Sequence, residues 1–281
     1  MKILIVGLGL IGGAYAKKLT ELGHEVYGSN HRQPAIDFAV SRSYIREGNV
    51  DPIKYLEFVD MVILGTYPSH IVDFLKKYNK FFREDLLITD VCGIKSSYIS
   101  EATKLALPAT YLAHHPMAGR EKVGIEYAHE VSFTKAKFII TPIKGHKYDE
   151  KYIDMLRKLG ESLEFNHISI LDTKSHDYMI GYTSQLAHAI AVALVNSDTK
   201  EDTKLFIGDS YRDLTRIAMI NENLWSELFL ENKKFLSENI SNFIEQLEKI
   251  KDAIEDSDSD ELKKLFIKST KHRKEMVEWE S

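Results

Sequence analysis

Apolar and polar positions change rhythm partway along the chain. In the first half, short apolar runs recur with little polar interruption: Ile3 to Val6, Met61-Val62-Ile63-Leu64, Leu86-Leu87-Ile88-Thr89, Thr110-Tyr111-Leu112-Ala113 and Phe138-Ile139-Ile140-Thr141. Runs of this kind suit strands covered on both faces. Helical stretches lie between them, including Ala14 to Leu22, Ser69 to Lys77 and Ser96 to Leu105, and His24 to Ser29 reads as a second strand. That alternation predicts an α/β fold with a doubly wound parallel sheet. A helix over Tyr152 to Leu159 and a strand over Leu163 to Ile168 are expected to close the first domain, 1–170. After Asp172, read as an N-cap, the rhythm turns helical and predicts an all-α domain over 171–281. Tyr178 to Val195 is nearly all apolar and is expected to be buried on most sides. A later helix keeps Leu228, Phe235, Phe243, Leu247 and Ile250 on one face, with Leu236 and Ile240 beside them. Such stripes call for a partner helix, from the same chain or a second subunit, and buried helical segments of this kind lead to the expectation of a homodimer.

The first strand runs straight into Gly7-Leu8-Gly9-Leu10-Ile11-Gly12-Gly13 and then a helix. In that context Gly7 allows a tight turn, Gly9 a close approach of backbone to a pyrophosphate, and Gly12 close packing of helix on strand. The N–H groups at the helix start, Leu10 and Ile11 among them, face the phosphates with the positive dipole end. The first domain is therefore expected to be a Rossmann-type dinucleotide-binding domain. Twenty-three positions after Gly7 stands Asn30, followed by His31 and Arg32, where an NAD site usually carries a carboxylate. Arg32 suits a 2′-phosphate and Asn30 can bond either ribose form, so NADP is favoured and NAD is possible.

With 281 residues, 44% hydrophobic and 28% charged, the chain has the composition of an ordinary two-domain globular protein. A net charge of −5 gives no footprint for nucleic acid or an anionic membrane surface. No apolar run suggests a signal peptide or a membrane span, so a cytoplasmic protein acting on a small molecule is expected. The lone Cys92 excludes an internal disulfide and a cysteine-based zinc site, and no metal is expected. Glu255 to Asp260 reads as an acidic, solvent-exposed turn.

Ligands in an open α/β sheet lie beyond the carboxyl ends of the strands, which draws attention to His114-His115-Pro116-Met117-Ala118-Gly119. Pro116 biases His115 to an extended conformation, and an imidazole can move a proton near neutral pH. A hydrogen-bonded structural histidine is the competing reading. In the helical domain Ser184 and His188 stand four apart on a face that passes Asp177, as pocket residues or internally bonded ones. Arg216 offers a planar fork for a carboxylate, unless it pairs locally with Asp213.

Taken together, these segments resemble the prephenate and arogenate dehydrogenase family of tyrosine biosynthesis over nearly the whole chain. The resemblance rests on the glycine turn, Asp90-Val91-Cys92-Gly93-Ile94-Lys95, His115-Pro116-Met117-Ala118-Gly119, Ser184-Gln185-Leu186-Ala187-His188, and Asp213-Leu214-Thr215-Arg216-Ile217-Ala218 with Trp225 and Glu231-Asn232. It implies oxidative decarboxylation of prephenate to 4-hydroxyphenylpyruvate with hydride transfer to NAD(P). His115 would assist deprotonation of the ring hydroxyl and Arg216 would bind a substrate carboxylate. Ser184 and His188 would line the pocket and Glu121 would shape its mouth. Gly93 departs from the family, many members of which carry a serine there. Arogenate dehydrogenase, a β-hydroxyacid dehydrogenase and a non-catalytic cofactor-binding regulator are the alternatives.

Overall fold

The computed structural model describes residues 1–119 and 122–280, with backbone alone at 278–280. The chain begins β1 (Lys2–Val6), α1 (Leu10–Glu21), β2 (Glu25–Ser29), α2 (Gln33–Ser41), β3 (Glu47–Gly48), α3 (Ile53–Leu56), β4 (Met61–Leu64), α4 (Pro68–Tyr78), β5 (Leu87–Asp90), α5 (Ser96–Ala102) and β6 (Thr110–Tyr111). These six strands form one parallel sheet in the order β3-β2-β1-β4-β5-β6. The order reverses between β1 and β4, which opens a crevice at their carboxyl ends. Successive side chains point to opposite faces, so the central strands feed two cores. Ile3, Ile5, Met61, Ile63 and Leu87 belong to one. Leu4, Val6, Val62, Leu64 and Ile88 belong to the other.

The strand expected over 110–113 is two. Leu112 N still donates to Ile88 O, and the chain then leaves the large sheet. It re-forms as β7 (Ala113–Pro116), which pairs antiparallel with β8 (Lys137–Thr141) in a second sheet ordered β7-β8-β9. After β8 come α6 (Glu150–Ser162), capped by Asp149, and β9 (His167–Ile170), parallel to β8. The last strand therefore starts later than its apolar pattern predicts. Leu163 N continues the helical bonding to Leu159 O, and Glu164 takes a left-handed φ of 63° that ends it. Leu163 and Phe165 serve the core from this turn rather than from a strand.

Asp172 caps α7 (Thr173–Ile180) as read, its side chain accepting from Lys174 N and Ser175 N. A π-helical turn over Gly181–Gln185 joins α7 to α8 (Leu186–Asn196). This stretch is not buried on most sides: Tyr178, Met179 and Tyr182 are 45%, 44% and 56% exposed. By length and composition alone Thr173–Asn196 could pass for a membrane span. Its Asp177 is instead buried and bonded to backbone at the start of α5, so the helix belongs to the folded domain. Then come α9 (Asp209–Thr215) and α10 (Glu222–Glu231), the latter capped by Asn221. The single later helix expected from the apolar stripe is broken: α10 stops at Glu231 and α11 (Lys233–Glu255) starts after Asn232, whose side chain is committed to buried hydrogen bonds.

By compactness the chain divides into Met1–Lys233 and Lys234–Ser281. The second unit holds most of α11 and then α12 (Ser259–Glu280). In the acidic turn between these helices Ser257 is left-handed at φ 56°, and the Asp258 carboxylate accepts from Asp260 N and Glu261 N.

Candidate active site

At the end of β1 the glycines divide their work as geometry requires. Gly7 has a φ of 93°, and a Cβ there would lie 2.5 Å from the Gly65 carbonyl oxygen. A Cβ on Gly12 would lie 1.9 Å from the Gly7 carbonyl oxygen, whereas one on Gly9 would meet nothing within 4 Å. The backbone is thus tightly closed beneath the turn and open above Gly9. Gly13 N makes the first helical bond, to Gly9 O, so the N–H groups of Leu10, Ile11 and Gly12 have no partner inside α1. An open glycine beside free helical N–H groups fits a pyrophosphate. Asn30 Oδ1 accepts from Leu8 N at 3.3 Å while its Nδ2 donates to Arg32 O, so Asn30 braces the turn from β2. Arg32 is exposed at the N-cap of α2.

His115 stands on β7, and its Nδ1 lies 2.9 Å from Nε2 of His176 on α7. His176 Nδ1 lies 2.8 Å from Asp177 Oδ1. The Asp177 carboxylate also accepts from Lys95 N at 2.9 Å and Ser96 N at 2.6 Å, at the N-terminus of α5. A carboxylate only accepts, which settles the chain of protons. His176 donates from Nδ1 and, uncharged, accepts at Nε2. His115 must then donate from Nδ1, which leaves its Nε2 with a free lone pair. That nitrogen faces Gly93, where a Cβ would sit 3.8 Å from it. Burial holds the His115 imidazolium well below the usual histidine range, helped by His176, Lys95 and His114. Burial likewise lowers His176, against the opposing pull of Asp177. Its neighbour His114 is a hydrogen-bonded core histidine: fully buried, its ring lies 2.9 Å from Tyr15 OH and 2.6 Å from Thr89 Oγ1.

Beneath this pair lies a buried ion pair, Lys95 Nζ to Asp90 Oδ1 at 2.6 Å. Lys95 Nζ also donates to the His114 carbonyl oxygen at 2.8 Å. Asp90 accepts in addition from Tyr98 OH, Tyr111 OH and Cys92 N. Burial pushes the Cys92 thiol up to about 12, which makes it an inert core group.

In the helical part, the His188 ring stacks on Trp225 with centroids 3.7 Å apart, and His188 Nδ1 donates to the Ser184 carbonyl. Gln185 Nε2 donates to Leu228 O, and Asn232 Nδ2 donates to Gln185 Oε1 and Asp177 O. Leu228 reaches to 3.9 Å from the Gly93 Cβ position. So α10 connects two groups, His115 with Gly93 through Leu228, and Ser184 with His188 through Trp225. Arg216 is exposed and opens a short 3-10 turn, Arg216–Ala218, packed against α8. Glu121 lies outside the described residues. Pattern reading passed over His176, and it quoted Asp90, Lys95, Gln185 and Asn232 within motifs without giving them a role. Their signal was polarity where burial was expected.

Comparison with known proteins shows what the chain is similar to. Residues 15–166 match the family described as prephenate dehydrogenase, nucleotide-binding domain, and residues 172–268 match prephenate dehydrogenase, dimerization domain. A prephenate dehydrogenase of Lactococcus lactis is 33% identical, with 98% of this chain and 77% of the relative covered. The crystal structure of prephenate dehydrogenase from A. aeolicus in complex with hydroxyphenyl propionate and NAD+ superposes with a TM-score of 0.85. It is 30% identical and is covered over 98% of its length by 99% of this chain. A Synechocystis arogenate dehydrogenase, 24% identical, shares the fold at a TM-score of 0.83, with 98% of this chain and 100% of that one covered. The family matches and the 33% identical relative both place the chain in the prephenate dehydrogenase family.

Proposed function

We propose that this protein is an NAD(P)-dependent prephenate dehydrogenase, converting prephenate to 4-hydroxyphenylpyruvate and carbon dioxide in tyrosine biosynthesis. The observation that carries the reading is the chain Asp177–His176–His115, which leaves His115 Nε2 as an acceptor 3.8 Å from where a Cβ on Gly93 would sit. A bound nicotinamide supplies the acceptor for the hydride that leaves the ring carbon bearing the hydroxyl. His115 takes the hydroxyl proton as that carbon becomes a carbonyl. The ring carboxylate departs as carbon dioxide, its bonding pair completes the aromatic ring, and His115 returns the proton to the product oxygen. Aromatisation supplies the driving force, so the residues mainly orient and hold charge.

Gly7, Gly9, Leu10, Ile11 and Gly12 are assigned to the pyrophosphate, and Asn30 and Arg32 to the adenosine ribose. The carboxylate usual in NAD sites is missing there, which favours NADP over NAD. Arg216 is assigned to a substrate carboxylate, Ser184 and His188 to the pocket wall, and Glu121 to its mouth. We place the functional division near residue 170, with nucleotide binding before it and substrate binding and homodimerisation after it. The exposed face of Tyr178, Met179 and Tyr182 suits a second copy, in a cytoplasmic enzyme.

The test is His115→Asn, assayed with prephenate and with arogenate against NAD and NADP. Loss of a general base lowers turnover by ~10²-fold or more with cofactor affinity retained. Near-normal turnover removes His115 from the chemistry, and faster turnover of arogenate reassigns the substrate.

A further inference from the structure

The ion pair Asp90–Lys95 sits in a place where structure alone does not need one. Both side chains are completely buried, and burying charge is costly even when it is paired. Asp90 is satisfied four times over, by Lys95, Tyr98, Tyr111 and the Cys92 backbone. Lys95 is directed elsewhere as well. Its Nζ donates to the carbonyl oxygen of His114, the peptide group that leads into His115. Its backbone N–H donates to Asp177, the carboxylate that orients His176. One residue thus grips both supports of the catalytic imidazole, the strand that carries it and the dyad that aims it.

We propose that Lys95 is a positioning residue whose buried positive charge keeps His115 uncharged and able to accept a proton, with Asp90 as the counterweight that limits this effect. The proposal rests on the assignment of His115 as the base. The titratable and charged groups around the ring are His176 and, behind it, Asp177 from α7, His114 from β7, and Lys95 with Asp90 from the segment joining β5 to α5. Asp177 favours a charged His176 and so works against the burial that keeps the two rings neutral. Lys95 opposes that. An ammonium that is itself fully buried acts over several ångströms with less screening than one in water. Lys95 Nζ bonds both the Asp90 carboxylate and the His114 carbonyl, while Asp90 is shared among three other donors, so of the two charges it is the ammonium that acts on His115.

Opposite signs follow for the two partners. Replacing lysine in Lys95→Met removes the positive charge and leaves Asp90 unopposed, so the His115 transition moves up by about one pH unit or more. Replacing the carboxylate in Asp90→Asn leaves Lys95 unopposed, and the transition moves down. The experiment is an NMR titration of the His115 ring in the unaltered full-length protein and both variants, its signal assigned by its loss in His115→Asn. The acid limb of kcat/KM for prephenate is measured in parallel. A Lys95→Met enzyme should be weak at neutral pH and recover at alkaline pH, which a merely structural defect would not do.

An upward shift in Lys95→Met and a downward one in Asp90→Asn support the proposal. If Lys95→Met does not fold, Asp90→Asn decides it: a downward shift supports it, and no shift or an upward one overturns it. A folded Lys95→Met protein whose His115 titrates as before also overturns it, as does a transition at or above the ordinary histidine value in the unaltered protein. The NMR arm reads the ring without turnover. A protein inactive on prephenate with shifted titrations would therefore refute the function while leaving this inference standing.

Discussion

Adding one methyl group at each of two glycines in the nucleotide turn should separate folding from cofactor binding. An alanine Cβ at position 12 would lie 1.9 Å from the Gly7 carbonyl oxygen, so more than about 1 Å of room must be found against backbone that is itself held by the bond from Gly7 N to Ser29 O. Forcing atoms into a closed core of this kind costs ~1–3 kcal/mol or more, and Gly12→Ala should lose both stability and dinucleotide affinity. At position 9 the same methyl meets nothing within 4 Å, and the backbone there is extended at φ −95° and ψ −154°, which alanine adopts freely. The only folding penalty is alanine's poorer N-cap behaviour, at most ~1 kcal/mol. A bound pyrophosphate, however, must retreat from the added methyl and from the N–H groups of Leu10 and Ile11. Losing one charge-assisted hydrogen bond costs ~1.5–3 kcal/mol, a rise in Kd of ~10-fold to ~100-fold. Urea denaturation of the cofactor-free proteins and calorimetric titration with NAD and NADP give both numbers. A Gly9→Ala protein that binds either dinucleotide normally would refute the placement of the pyrophosphate over Gly9, however well it folds.

Three further outcomes are expected. Because Arg32 is exposed at the start of α2 and assigned to a 2′-phosphate, Arg32→Ala should weaken NADP by ~10-fold or more while sparing NAD; equal losses make it a bystander. Arg216→Ala should raise KM for prephenate by ~10-fold or more in a protein that sediments as a dimer like its parent, and an unchanged KM or a monomeric parent would refute the corresponding assignment. Burial holds His114 and His115 well below 6.5 and His176 below it, so under acid conditions the unfolded chain takes up protons that the native one refuses. Their contribution to stability is complete above about pH 6.5 and declines as pH falls from there towards the native values, by up to ~1.4 kcal/mol per pH unit for each ring. A urea midpoint that does not change between about pH 7.5 and about pH 5 would contradict this.

What pattern reading reached and what it missed divide by the range of the interaction involved. Strands β1, β4, β5 and β8 were legible because a strand covered on both faces must be apolar throughout, a property each segment carries within itself. The break at Leu112 was not, since Thr110 to Ala113 is one apolar run and nothing in it says that two different sheets claim its halves. The exposure of Tyr178, Met179 and Tyr182 was misjudged for a related reason: apolar composition predicts that a face will be covered, without saying whether the same chain covers it.

The paired histidines show the limit most sharply. His114 and His115 follow the same strand, and only the Pro116 after it drew attention to His115. A pleat sends neighbours to opposite faces, so one was bound to enter the core and the other to face away from it. Which did which depends on α1, whose Tyr15 meets His114 from 99 residues away in sequence, and on α7, whose His176 meets His115 from 61 away. Both partners are polar residues whose own segments give no hint of the pairing. Asp177 was singled out for sharing a face with Ser184 and His188, yet its carboxylate turns instead to the start of α5 and to His176. The tautomer of His115, and with it the ability of Nε2 to accept a proton, is therefore set by a carboxylate that the helical periodicity directed elsewhere.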